Sequence, residues 1–163
     1  MTRRLTILIF TLSIALVSFG QTDTTFAEAE RYKTNKFDCA IFPFNYFDLI
    51  GGQSFTPTRQ EIDRVEVALQ TDLETLNKDL INQASTPIIH KKLKKYKRQY
   101  FGYIDKNGDR ILLINCFWSK NIDFSNRWLK ERIVVLDGGS YYWSIKFNLN
   151  RKELFDLNVN GYA

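Results

Sequence analysis

Asp105, Asn107 and Asp109 place three oxygen-bearing side chains at every second residue, the spacing of the first half of a calcium-binding loop. A complete loop starting at Asp105 needs Gly at its sixth position and a bidentate Glu at its twelfth, where this chain has Arg110 and Cys116. Gly108 stands at the fourth position, and no helical pattern flanks the segment. Asn107-Gly108 between two apolar runs instead reads as a hairpin turn. His90 is the single histidine, so any His-based triad must use it. No Gly-x-Ser-x-Gly elbow and no Cys–His pair at a recognisable spacing accompanies it. One His and two Cys would need a carboxylate to complete a zinc site, and no close pair of ligands occurs. A P-loop and a dinucleotide-binding glycine fingerprint are both missing. The sequence therefore nominates no catalytic residue, no metal ligand and no cofactor.

The residues that do suggest recognition are basic. Lys91, Lys92, Lys94, Lys95, Lys97 and Arg98 fall within eight positions, interleaved with Leu93 and Tyr96. Such a run can hold an anionic glycan, a lipid phosphate or an acidic protein. It equally serves as a solvated, lysine-rich strand edge that resists pairing with neighbours. Tyr100, Tyr103, Trp118, Trp128 and Tyr142 could line the open face of a sheet, where aromatic rings grip sugars or proteins. The expected ligand or partner set is Lys94, Lys95, Lys97, Arg98, Tyr100 and Tyr142. Replacing Lys94, Lys95, Lys97 and Arg98 by Ser is expected to weaken an anionic partner and leave stability nearly unchanged.

The elements that position these residues follow from patterning. The chain has 163 residues, 44% hydrophobic, 15% aromatic and 25% charged, which suits one globular domain with a core. Arg3 and Arg4 precede an apolar run from Leu5 to Phe19, and Gly20 precedes a polar stretch. This is the layout of a signal peptide over residues 1–20, with cleavage after Gly20 or, alternatively, Ala27. The apolar run falls short of the ~20 residues of a permanent membrane span, so the mature chain is not expected to cross a membrane. Removing Arg3 and Arg4 lowers the formal net charge from +5 to +3, a mild balance that gives no case for nucleic acid. A secreted or periplasmic location follows. Cys39 and Cys116 either pair in that oxidising compartment, closing a loop worth ~4 kcal/mol, or act as two buried small apolar residues.

Residues 21–36 are polar and read as a flexible leader, followed by a single domain over 37–163. The aromatic-dense stretch 37–50, broken by Pro43, reads as irregular or briefly extended. Residues 56–82 carry Ile62, Val65, Leu69, Leu73, Leu76 and Leu80 on one stripe, the pattern of a long amphipathic helix. Thr56-Pro57 and a Thr58–Glu61 capping box mark its start. Five strands are expected at 97–105, 109–118, 129–137, 141–149 and 154–160, with turns at Asn107-Gly108 and Asp137-Gly138-Gly139. Trp143, Ile145 and Phe147 alternate with Ser144, Lys146 and Asn148, so one sheet face is expected to be buried and one wet. The fold class is α+β, with one long helix packed across an antiparallel sheet of four to five strands.

Lys95–Tyr103, Ile114-Asn115-Cys116-Phe117, Asp137-Gly138-Gly139 and the closing Val159–Ala163 resemble segments of small secreted bacterial proteins similar to cystatin-like α+β domains. The resemblance covers roughly residues 56–163 and implies a sheet wrapped around a helix. It brings no functional residues, and the Gln-x-Val-x-Gly loop of cystatin inhibitors is absent. The expected function is a non-enzymatic binding module acting through the open sheet face and the basic segment, with an unknown protein or an anionic glycan or lipid as partner. The alternatives are a small enzyme or ligand carrier with a pocket between helix and sheet, and a homodimer joined through its sheets.

Overall fold

The computed structural model describes residues 28–46, 53–120 and 126–162. The expected signal segment 1–20 lies outside them, as does the first part of the leader. The chain forms a seven-stranded mixed sheet with short helices, in place of the expected long helix across four or five antiparallel strands. The strands are β1 (Glu30–Lys33), β2 (Asp38–Ile41), β3 (Ser54–Phe55), β4 (Tyr96–Ile104), β5 (Arg110–Trp118), β6 (Tyr142–Asn148) and β7 (Glu153–Val159). They lie in the order β1-β2-β4-β5-β6-β7. β3 pairs with β4 beyond the end of β2, so two short strands share one edge of β4. There Gly102 is required. A Cβ at that position would come within 2.6 Å of the Phe55 carbonyl oxygen and 2.7 Å of its ring.

The mixed character has one source. β2 and β4 run parallel, with Asp38 opposite Lys97 and Ile41 opposite Tyr100. Parallel neighbours need a long crossover, and α1 (Arg59–Thr71) lies within it. Thr58 caps α1: its hydroxyl accepts from the Glu61 amide at 3.3 Å, while Glu61 Oε2 accepts from the Thr58 amide at 2.9 Å. The helical stripe ends early. α1 stops at Asp72, α2 (Leu73–Leu76) adds a single turn, and Leu80 adopts a left-handed φ of 48°. Ile62, Val65, Leu69 and Leu73 are therefore buried, whereas Leu76 and Leu80 are exposed.

Glu30–Lys33, within the segment read as a leader, is an edge strand paired with β2. Its four residues are too polar to signal a strand by alternation. The expected strand 129–137 is not one. Arg127–Leu129 forms a 3-10 turn and the residues after it are irregular. This segment covers the sheet face opposite α1: Trp128, Leu129 and Ile133 pack with Ala40, Phe42, Phe101, Leu113 and Phe117 in a second core. The sheet consequently has a core on each face, which corrects the expectation of one wet face. Gln99 holds the strap in place. Its Nε2 donates to the carbonyls of Trp128 and Glu131, and its Oε1 accepts from the Ile133 amide.

Two turns explain residues that looked chemical. Asp105 Oδ1 accepts from the amides of Asn107 at 2.8 Å and Asp109 at 2.9 Å, and Gly108 supplies the positive φ of 83°. Asp109 Oδ2 accepts from Asn148 Nδ2 at 2.8 Å and lies 3.0 Å from Arg151 Nη2. In β7, a bulge at Asp156, φ 53°, opposes two residues to one of β6. Leu154 therefore faces the core, Phe155 does not, and Leu157 and Val159 return to it.

Candidate functional site

The β2–β4 pairing brings the residues before each strand to the same end of the sheet. The turn before β2 carries Lys36. The segment before β4, Ile89–Lys95, is 3-10 helix with a kink at Lys92. Its apolar residues hold it down: Ile89 is fully buried, Leu93 packs against the core, and Tyr96 donates its hydroxyl to the Ser140 carbonyl at 2.9 Å. The Gln83 side chain accepts from the Ile89 amide at 2.9 Å. With those anchors turned inward, Lys91, Lys92, Lys94 and Lys95 are all exposed.

Between this segment and α1 lies a cleft of about 490 Å³. Glu66 and Gln70, one helical turn apart, form the α1 wall; Lys36 closes one side. Among the described residues, none of the cleft lysines forms an ion pair. The unpaired lysines therefore give the cleft a positive field, and its volume falls within the ~300–1,000 Å³ of small-ligand sites.

Arg98 forms the floor and is only 1% exposed. Its Nη1 donates to the Tyr96 carbonyl at 3.1 Å and its Nη2 to the Leu93 carbonyl at 3.2 Å. Its Nε stands 3.0 Å from Glu66 Oε1, at ion-pair distance but without an aligned hydrogen bond. The same oxygen accepts the Tyr100 hydroxyl at 2.7 Å. Burial pushes the Glu66 carboxyl above its ordinary range, against the opposing pull of Arg98 and the Tyr100 hydroxyl. Burial and the Glu66 charge likewise push the Tyr100 hydroxyl well up. Arg98 is thus an internal tie joining β4, α1 and the backbone of the basic segment, rather than an exposed contact.

Cys39 and Cys116 flank Arg98 in register on β2 and β5. With one strand between them, their Cα atoms are separated by two strand spacings, ~10 Å, beyond the ~7 Å reach of a disulfide. Both are free and buried, and burial holds both thiols far above their ordinary range. The burial alternative describes these two residues.

The six nominated residues do not share one surface. Lys94 and Lys95 line the cleft, and Arg98 and Tyr100 lie beneath it on the helix side. Lys97 points to the other face, its Nζ 4.4 Å from the Trp128 ring centre. Arg31 also approaches that ring, at 5.6 Å. Tyr142 is half-buried against the second core, away from the cleft. Lys36, Glu66 and Gln70 enter the site from other segments and gave no signal beside the basic run. Only the β2–β4 pairing and the helix orientation could have found them.

No family model matches the chain, and comparison with curated proteins and with solved structures found no match. Among the described residues, no helix is long and apolar enough to cross a membrane.

Proposed function

We propose that this chain is a secreted or periplasmic, non-enzymatic binding module that takes an anionic group into the cleft between α1 and the basic segment. The observation that carries the reading is the convergence of exposed, unpaired lysines from two distant segments on one concavity. Lysines without intramolecular partners are already solvated and mobile, so an anion engages them without breaking any ion pair of the fold. The sheet face opposite α1 contributes no open platform, because the 126–136 strap occupies it.

A second reading, a small enzyme or carrier, draws on Glu66, a carboxylate of raised pKa in the α1 wall of the cleft. Its Oε1 is engaged by Tyr100 and faced by Arg98, and its side chain is 5% exposed. With 5% of the side chain exposed, little of the carboxylate is open to a substrate, which favours the structural role. The test is retention on a sulfated matrix at low ionic strength. A variant with Lys91, Lys92, Lys94 and Lys95 replaced by Ser should elute at clearly lower salt with an unchanged melting temperature. Equal retention of variant and parent would contradict the reading.

A further inference from the structure

A second concavity, about 230 Å³, lies beside the first and shares Lys36 and Lys94 with it. Lys33, Thr34, Asn35, Lys97 and Ser119 add to its polar lining. Its one carboxylate, Asp38, is already neutralised by Arg31, which donates to it from Nε at 2.9 Å and from Nη2 at 2.8 Å. Lys33 is exposed at the end of β1 and, among the described residues, forms no ion pair. The positive surface is therefore one continuous path over two hollows, with Lys36 and Lys94 on the ridge between them.

Resting on the reading of the first cleft as an anion site, we propose that the two concavities together bind a linear acidic polysaccharide, its charged groups seated in both hollows. The path is longer than one small anion requires, and lysines recognise spaced charges without demanding a fixed geometry. Other polyanions fit less well. Single-stranded nucleic acid is held by stacking on exposed rings, yet of the rings bordering the hollows Phe37 and Tyr96 are buried and the His90 side chain is 11% exposed. A membrane surface is met by apolar side chains inserted beside the charges, and the large exposed apolar residues of the described chain lie outside both hollows. The same absence removes the apolar and aromatic anchors on which a protein interface concentrates its affinity.

The test is titration calorimetry of the domain with a heparin tetrasaccharide, a long heparin chain, polygalacturonate and oligothymidylate. The expected result is tighter binding of the long chain than of the tetrasaccharide, by about tenfold, from engagement of both hollows. Lys33→Glu should weaken the long chain by about fivefold and leave the tetrasaccharide unchanged, since Lys33 belongs to the second hollow alone. Lys33→Ser should produce roughly half that effect in free energy. Matching melting temperatures would establish that both variants are folded. Polygalacturonate carries carboxylates alone and heparin carries carboxylates and sulfates, so comparing them shows whether carboxylates suffice or sulfate is required. Equal affinity for short and long chains, with Lys33→Glu silent, would overturn the two-hollow proposal and leave the single-cleft reading standing. Failure of both heparin probes and polygalacturonate to bind would overturn that reading as well. Tighter binding of oligothymidylate than of either glycan would overturn the ligand class.

Discussion

Arg98 Nε lies 3.0 Å from Glu66 Oε1 beneath the basic cleft, so the strand that begins in the lysine run is tied through one buried ion pair to the helix that forms the opposite wall. Two further hydrogen bonds from the same guanidinium hold the Leu93 and Tyr96 carbonyls. The shape of the cleft thus depends on a residue that cannot reach a ligand.

Breaking that tie from one side should be costly. Arg98→Met leaves a buried carboxylate without its cation and should lower stability by about 3–5 kcal/mol. The double variant Arg98→Met/Glu66→Leu should recover much of the loss, because both charges are then gone. Urea denaturation of the parent, the single and the double variant checks this. A single variant as stable as the parent would show that the pair carries no structural weight. Because Arg98 is buried against Glu66, Ser at Lys94, Lys95, Lys97 and Arg98 together should cost stability through the Arg98 change.

The two thiols should titrate only on unfolding. Cys39 and Cys116 are buried and separated by β4, so a thiol reagent should find none in the native protein and both in denaturant without reductant. Finding neither thiol in denaturant would mean a disulfide that requires a different strand arrangement.

The start of α1 gives a pH-dependent prediction. Burial alone raises the Glu61 carboxyl, but the Thr58 amide, Arg110 and the Thr58 side chain together hold it below the ordinary range. A depressed folded pKa contributes stability above the unfolded value, lost as pH falls through the folded one. Thr58→Ala should cost about 1 kcal/mol at neutral pH. Glu61→Gln should weaken the acid-induced loss of stability, read from melting temperatures across the acidic range. A Glu61→Gln profile parallel to that of the parent would contradict the assignment.

Trp128→Ala should open the second sheet face. The ring is 2% exposed, packs edge-on to Phe117 and underlies Lys97, so its loss should cost about 3–5 kcal/mol. Denaturant unfolding measures this, and a loss below about 1 kcal/mol would mean that the strap does not close that face.

Much of the sheet was legible because its signals are local. Trp143, Ile145 and Phe147 alternate over one core, Asn107-Gly108 marks the β4–β5 turn, and Thr58 with Glu61 marks the helix start. What escaped depends on distant partners. Glu30–Lys33 gains its strand conformation from pairing with β2, and β2 lies parallel to β4 across a long crossover that contains α1. Leu129 and Ile133 are core residues with Val135 packed beside them, but they cover a sheet rather than join it, and Val134 and Leu136 are exposed. The basic run was visible as composition. Which of its members face outward was not, because a strand alternates faces and a 3-10 segment does not: Lys97 and Arg98, adjacent in sequence, ended on opposite sides of the sheet.

The most direct measurement of the central claim is a residue-resolved NMR titration of the domain with a heparin tetrasaccharide. Binding in the cleft should shift the amides of Lys36, Gln70 and residues 91–95 and leave β7 and the 126–136 strap undisturbed. Shifts centred on β7 or on the strap, or none at tetrasaccharide concentrations that saturate a weak site, would contradict it.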